Sequence, residues 1–335
     1  MYRLFRPLLF QLDPEDAHRL TLWLLTQAGR LRFPLKMLET LFPAPDHPTE
    51  VFGLSFKNPI GLAAGYDKDG VAVPGLAALG FGHIEIGTIT LLPQEGNPKP
   101  RIFRLIEDQA IINRMGFPGC GAEHSIRQLC RNQKPSSTIL GVNLGKNKDT
   151  PLDRSAEDYL TLMRIFTPLA DYLTINISSP NTVGLRRLQG RRMLEKLLDA
   201  ISKERKNLPG RIPILIKLAP DLEDKELEDA LDVILSTDMD GIVATNTTLS
   251  RPGLRSNKAA ESGGLSGAPL REISLQMLEK IVHRVNGLIP VVSSGGVMTP
   301  EDANQRLDSG AALVQIYTGL VYQGPGLLRK ILKAR

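Results

Sequence analysis

From Asn58 onward the chain repeats one pattern. A short apolar run ends in Gly, Ser, Thr, Asn or Lys, and a segment with helical spacing usually follows. The runs are NPIGLAAGYDK (58–68), GHIEIGTIT (82–90), TILGVNLGKN (138–147), YLTINISSPN (172–181), IPILIKLAP (212–220), GIVATNTT (241–248), IPVVSSGGV (289–297) and ALVQIYTGL (312–320). They are apolar at nearly every position rather than at alternate ones, as in parallel strands covered on both faces. Between them, RRMLEKLLDAISKER, LEDKELEDALDVILS and TPEDANQRLDSG predict helices, the last opening on Thr-Pro and closing on Gly. Eight strand–helix units predict an α/β fold of the (β/α)8 TIM-barrel type. A doubly wound sheet is the alternative. It usually places a glycine-rich nucleotide loop after its first strand, and AAGYDKDG lacks G-x-G-x-x-G.

Two intervals, 91–121 and 249–270, are too long for simple crossovers. Segments of that length in a compact domain are usually lids or binding loops. Residues 1–45 stand outside the repeat and divide the chain into an N-terminal helical segment and a barrel at 46–335. Asp13-Pro14-Glu15-Asp16 predicts a helix start: a cap, Pro in the first turn, then acids on the positive end of the dipole. Ala17, Leu20, Leu24, Leu25 and Ala28 continue it, and Gly29 can end it. FPLKMLETLF predicts a second, short helix. Within the first 36 residues six basic side chains (Arg3, Arg6, Arg19, Arg30, Arg32, Lys36) oppose three acidic ones (Asp13, Glu15, Asp16), a surplus of three in a chain whose net charge is +5. A basic, broadly apolar helical segment suits a bilayer surface, or else a plug beneath the barrel.

Composition narrows the field. With 335 residues, 42% hydrophobic and 23% charged, the chain is an ordinary globular protein with a large core. Aromatics are 5%, and no basic run is interleaved with Phe or Tyr, which disfavours nucleic-acid partners. Two cysteines make no disulfide framework, and five scattered histidines show no metal-ligand spacing.

In a barrel of this kind the site is built at the C-terminal ends of the strands. There the sequence collects Lys68, Thr88, Asn143, Asn176, Ser179, Asn181, Lys217, Thr245, Asn246, Thr247, Gly295, Gly296, Tyr317 and Thr318. Few carboxylates are among them, which argues against a two-acid glycosidase. Amide side chains carry donors and an acceptor, and match the edge of a planar heterocycle such as a pyrimidine or flavin. Each Asn alone is a common turn former; their convergence favours function. The Gly pair after strand seven and YTG after strand eight occupy the usual barrel phosphate site. Lys217 lies alone in an apolar strand and needs an anion, for which a reduced flavin ring is one candidate.

GLAAGYDKDG, PQEGNPKPR, NRMGF, NISSPNT, TNTT and GGLSG, in this order across nearly the whole chain, resemble the dihydroorotate dehydrogenases. With its helical extension the chain is most similar to their class 2, the membrane-associated, quinone-reducing enzymes. The resemblance implies FMN as cofactor, dihydroorotate and orotate as substrate and product in pyrimidine synthesis, and a membrane quinone as electron acceptor. It implies substrate contacts at Lys68, Asn113, Arg114, Met115, Gly116, Phe117, Asn176, Asn181, Asn246 and Thr247. Around FMN it implies Ala64, Gly65, Tyr66, Asp67, Lys68, Thr88, Asn143, Asn176, Lys217, Thr245, Gly267, Gly296, Tyr317 and Thr318. Ser179 matches the family's catalytic base, and Thr182 or a water near Phe117 is the expected relay for its proton. Class 1 members carry Cys as the base, and neither Cys120 nor Cys130 falls there. His18, Arg104 and Tyr317 are expected near the quinone head. The N-terminal helices would then rest peripherally on the cytoplasmic face of a bacterial inner membrane. A flavin barrel using a soluble acceptor and a noncatalytic membrane-surface barrel are the rival readings.

Overall fold

The computed structural model describes residues 2–132, 134–251 and 253–335. Its centre is a closed barrel of eight parallel strands: β1 Ile60–Leu62, β2 His83–Ile89, β3 Ile139–Leu144, β4 Tyr172–Asn176, β5 Ile214–Leu218, β6 Gly241–Ala244, β7 Val291–Ser294 and β8 Leu313–Ile316. Strands neighbour one another in chain order, and β8 closes on β1. Every residue of these eight strands is buried, which is why the runs read as apolar throughout rather than alternating. The register sets the site's height: Gly87 lies opposite Asn143, and Asn176 opposite Lys217.

Helices form where the sequence predicts them. Arg191–Arg205 and Asp224–Ser236 cover the outside. Pro300–Asp308 is closed by a capping box between Thr299 and Asp302.

The two long intervals meet each other. Ile102–Leu105, Ala110–Asn113 and Gly264–Gly267 form a three-stranded antiparallel sheet, with Ala110–Asn113 in the middle. This sheet stands over the C-terminal end of the barrel, where Ile102, Ile111, Asn113, Ser266 and Gly267 face the same cavity as Ser179 and Lys217.

The N-terminal segment holds three helices: α1 Tyr2–Gln11, α2 Pro14–Arg30 and α3 Arg32–Leu41. Asp13 caps α2 as expected, its Oδ1 accepting the Glu15 and Asp16 N–H groups at 2.8 and 3.3 Å. The sequence reading did not single out α1, because Pro7 interrupts its periodicity. The Arg3 side chain, counted among the basic residues, lies outside the described set.

The plug-at-the-bottom alternative does not hold. A hairpin, Thr49–Val51 with Leu54–Phe56, lies across the lower end, where Val51 and Phe56 pack on Ile139, Tyr172, Leu215 and Leu313 near the start of their strands. The helices reach the opposite end. There α2 crosses the helix Val73–Ala77 so closely that a Cβ on Gly75 would lie 2.2 Å from the Leu25 carbonyl oxygen. Glu15 is nearly buried and takes two hydrogen bonds from Arg101, at 2.8 and 3.1 Å, with Lys99 at 3.2 Å. Burial alone would raise the Glu15 pKa, but the Arg101 and Lys99 cations outweigh it and hold the carboxyl below its usual range.

Candidate active site

A cavity of about 470 Å³ runs from the N-terminal helices to the tops of the strands. That lies within the roughly 300–1,000 Å³ of small-molecule sites. At its inner end it is lined by Ala64, Gly65, Tyr66, Lys68, Thr88, Asn176, Ser179, Asn181, Lys217, Thr245, Asn246 and Thr247. Asn113, Met115, Gly116 and Phe117 line it from the segment after β2; Gly267, Gly296, Tyr317 and Thr318 complete that end. His18 and Arg104 line the outer end, with Leu9, Phe10, Ala17, Thr21 and Leu24. Nearly all residues singled out in the sequence therefore share one space.

Three of the residues expected at substrate or cofactor do not reach it. Asn143 is buried one layer behind the wall. Its Oδ1 accepts from Thr88 Oγ1 at 2.6 Å and from Asn176 Nδ2 at 3.0 Å, and its own Nδ2 donates to Glu85 at 2.8 Å. Asp67 turns inward and accepts the Val71 and Ala72 N–H groups at 2.9 and 2.7 Å, which fixes the turn carrying Lys68. Arg114 faces away, paired with Glu261 at 2.6 Å and stacked over Phe103 at 4.5 Å.

The sequence reading missed Glu85 and Gln315. Glu85 is fully buried in β2. Its carboxylate accepts from Asn143 at 2.8 Å, Gln315 at 2.8 Å, and the Tyr172 and Thr174 hydroxyls, each at 3.1 Å. Lys217 Nζ lies 4.0 Å away. This is the anion that the buried Lys217 requires. Burial still holds the Lys217 pKa below its ordinary value, against the pull of Glu85. Gln315 lines the cavity, and its Oε1 is buried without a partner among the described residues. The signal for both was one already applied to Lys217, a lone polar residue inside an apolar strand.

Around Ser179 the groups are amides and hydroxyls. Ser179 Oγ accepts the Asn181 N–H at 3.2 Å. Asn181 Nδ2 donates to the Asn113 carbonyl at 3.0 Å, and Asn246 Nδ2 donates to Ser178 Oγ at 3.0 Å. Thr182 Oγ1 is buried without a partner among the described residues. Among the described residues the cavity wall holds no carboxylate. Burial pushes the Lys68 ammonium down to about 8. At the outer end burial and the Lys68 charge push His18 down to about 3, so its imidazole is neutral at physiological pH. His18 meets Tyr66 edge-on at 5.0 Å, and Tyr66 meets Tyr317 at 5.9 Å. Arg104 donates to the carbonyls of Leu9, at 3.1 Å, and Leu12, and lies over the Phe10 ring, tying α1 to the antiparallel sheet.

Fold and site together define a (β/α)8-barrel enzyme whose strand-end pocket continues between added N-terminal helices. The dihydroorotate dehydrogenase profile matches residues 47–334. A dihydroorotate dehydrogenase (quinone) of Halorhodospira halophila is 46% identical over 100% of this chain and 97% of its own length. One from Azotobacter vinelandii is 47% identical over 100% and 96%. The crystal structure of the Eimeria tenella dihydroorotate dehydrogenase in complex with ferulenol matches 97% of this chain and 93% of that one, with a TM-score of 0.88 and 37% identity. The chain belongs to the dihydroorotate dehydrogenase family.

Glu85→Gln tests the buried pair. Removing one partner of such a pair costs about 3–5 kcal/mol, and a loss of that order is expected in urea unfolding. A stability within about 0.5 kcal/mol of the parent would show that the pair is dispensable.

Proposed function

We propose that this protein is an FMN-dependent dihydroorotate:quinone oxidoreductase. The observation that carries the reading is the single cavity joining the Ser179–Asn181–Asn246 cluster and Lys217 to the N-terminal helices. The residues present fit FMN. Gln315 offers a buried, unused acceptor, and Lys217 a buried cation beside the wall. Gly295 and Gly296 turn at φ +105° and +74°, and a Cβ on Gly296 would lie 2.3 Å from Arg271 Cα. Only glycine permits that turn, which leaves backbone open to a phosphate.

When bound, FMN supplies a two-electron acceptor that can be reoxidised by quinone. Thr88, Asn176, Lys217 and Gln315 would border its ring, and Gly267, Gly296 and Thr318 its phosphate end. Oxidation of dihydroorotate to orotate removes a proton from carbon 5 and a hydride from carbon 6. Lys68 holds the substrate carboxylate, while Asn113, Asn176, Asn181, Asn246 and Thr247 orient the ring. Ser179 takes the carbon-5 proton. A free hydroxyl is a weak base, so the proton must pass on, and the Thr182 hydroxyl, buried without a partner among the described residues, is the group to relay it, directly or through water. Phe117 helps keep bulk water out. His18, Arg104 and Tyr317 border the acceptor's path.

The same reading sets the protein against a bilayer. Among the described residues, eleven of the sixteen exposed large apolar side chains lie on or between α1, α2 and α3, including Leu4, Phe33 and Trp23 at 77%, 82% and 57% exposure. Among the described residues no helix is long and apolar enough to cross a membrane. Peripheral attachment follows, with the apolar faces in the headgroup boundary and basic residues toward anionic lipid. We place the protein on the cytoplasmic side of a bacterial inner membrane.

The deciding experiment is a visible spectrum before and after anaerobic dihydroorotate. A flavin spectrum that bleaches is expected; Ser179→Ala should retain flavin yet lose nearly all of the bleaching rate. No flavin after adding FMN would overturn the proposal, and near-normal bleaching in Ser179→Ala would remove Ser179 as base. Lys68 is charged below its pKa of about 8 and neutral above it. KM for dihydroorotate should therefore rise above about pH 8, and Lys68→Met should show a high KM without that rise. A KM that stays flat through this range would separate Lys68 from the substrate carboxylate. Finally, combined Leu8→Glu, Trp23→Glu and Phe33→Glu should release the protein from anionic vesicles with flavin reduction intact. Undiminished vesicle binding would argue against these helices as the anchor.

A further inference from the structure

Arg186 lies outside the cavity and takes no part in the reaction described above. It occupies a short 3-10 turn, Leu185–Gln189, directly after the NISSPNT loop. That turn is fixed. Leu185 and Leu188 are buried in the main core, and Gln189 Oε1 accepts the Ala219 N–H at 2.9 Å. From this base the guanidinium makes three bonds. Nε donates to the Ser178 carbonyl at 3.0 Å, Nη2 to the Thr247 carbonyl at 2.9 Å, and Nη1 to Asp221 Oδ2 at 2.6 Å. Asp221 also accepts from the Thr248 hydroxyl and from the Leu249 N–H. One planar cation thus joins the loops that follow β4, β5 and β6.

The atoms it grips are informative. The Ser178 carbonyl belongs to the peptide plane that carries the Ser179 N–H, and the Thr247 carbonyl belongs to the next plane after Asn246-Thr247. Holding both carbonyls fixes both rigid planes. On the cavity side, Asn246 Nδ2 donates to Ser178 Oγ at 3.0 Å and closes the same gap. The Arg186–Asp221 pair is itself partly exposed, at 21% and 24%. Such a pair adds little stability, so what it contributes is geometry. A guanidinium supplies several donors in a fixed fork, which a lysine ammonium cannot imitate.

We propose that Arg186, with Asp221 as its counter-ion, is the positioning residue that sets the spacing between the Ser179 loop and the Asn246–Thr247 loop. Proton removal and ring binding then act on one substrate in one orientation. This rests on the assignments of Ser179, Asn246 and Thr247 made above.

The test uses full-length holoenzyme carrying Arg186→Ala, Arg186→Lys or Asp221→Asn. Three quantities are read: the anaerobic rate of flavin reduction by saturating dihydroorotate, orotate affinity from the perturbed flavin spectrum, and reoxidation of reduced enzyme by a short-chain quinone. Misplacement of reacting groups by about 1 Å costs on the order of 100-fold in rate. Arg186→Ala is expected to slow reduction at least about tenfold and to weaken orotate, with quinone reoxidation unchanged. Arg186→Lys should recover only part of the loss. Asp221→Asn should shift the same two quantities less, and carries the test if Arg186→Ala does not fold. Wild-type reduction and orotate affinity in the variants would overturn the proposal. So would equal loss of both half-reactions with release of flavin, which would make Arg186 a residue of general stability. Orotate binding needs no proton transfer. If Ser179→Ala proves fully active, the base assignment fails, and the Arg186 proposal is then decided on orotate affinity alone.

Discussion

A carboxylate and an ammonium cannot sit at the heart of an apolar barrel unless each compensates the other. Glu85 and Lys217 meet that condition from β2 and β5. Their attraction alone does not offset the desolvation of both. The remaining lone pairs of Glu85 are occupied by Asn143, Tyr172, Thr174 and Gln315, which come from β3, β4 and β8. Five of the eight strands thus converge on one charged group. The network also fixes what lies above it. Asn143 holds Thr88 and Asn176, and both of these face the cavity. The floor of the site is therefore set by barrel closure rather than by any single loop.

The two ends of the cavity differ in chemistry. The inner end is lined with amides, hydroxyls and two lysines, without a carboxylate among its described residues. The outer end is mostly apolar and aromatic, with a neutral His18 and the Arg104 guanidinium. The two antiparallel-sheet segments and α2 enclose the passage between them. Glu15 and Arg101 lock α2 to one of those segments, so the helical part is not a loose appendage. A surface salt bridge would not achieve this, because its contribution is small and screened by salt.

Much of this was legible in the sequence. Strands buried on both faces give unbroken apolar runs, so all eight were visible, and their Asn, Ser, Thr and Lys endings pointed to the site. What escaped has physical causes. Glu85 and Gln315 face the barrel interior, and a single polar residue barely alters an apolar run. Asn143 and Asp67 carry the right chemistry at the right place, yet backbone and neighbouring side chains consume it one layer below the surface. Arg114 lies beside Asn113 but points to the other face of its segment, toward Glu261. The long intervals read as loops because their strands are only four residues each, and one of the two pairings, Gly264–Gly267 with Ala110–Asn113, spans some 150 positions. Helix α1 was hidden by Pro7, and only tertiary packing reveals which end of the barrel the helices cover.

That packing carries a consequence in time. The Tyr2 hydroxyl bonds the Val321 carbonyl, Arg6 bonds the Tyr322 carbonyl, and Phe10 meets the Tyr322 ring edge-on at 5.4 Å. During synthesis α1 leaves the ribosome more than 300 residues ahead of this docking surface. Contacts so distant along the chain form late, because their loop-closure entropy must be met before they stabilise anything. For most of translation α1 lacks the contacts that it makes to Val321 and Tyr322. A nascent chain in that condition is exposed to aggregation unless a bilayer or a chaperone covers the helix first. What first covers α1 would then be decided before the barrel has closed.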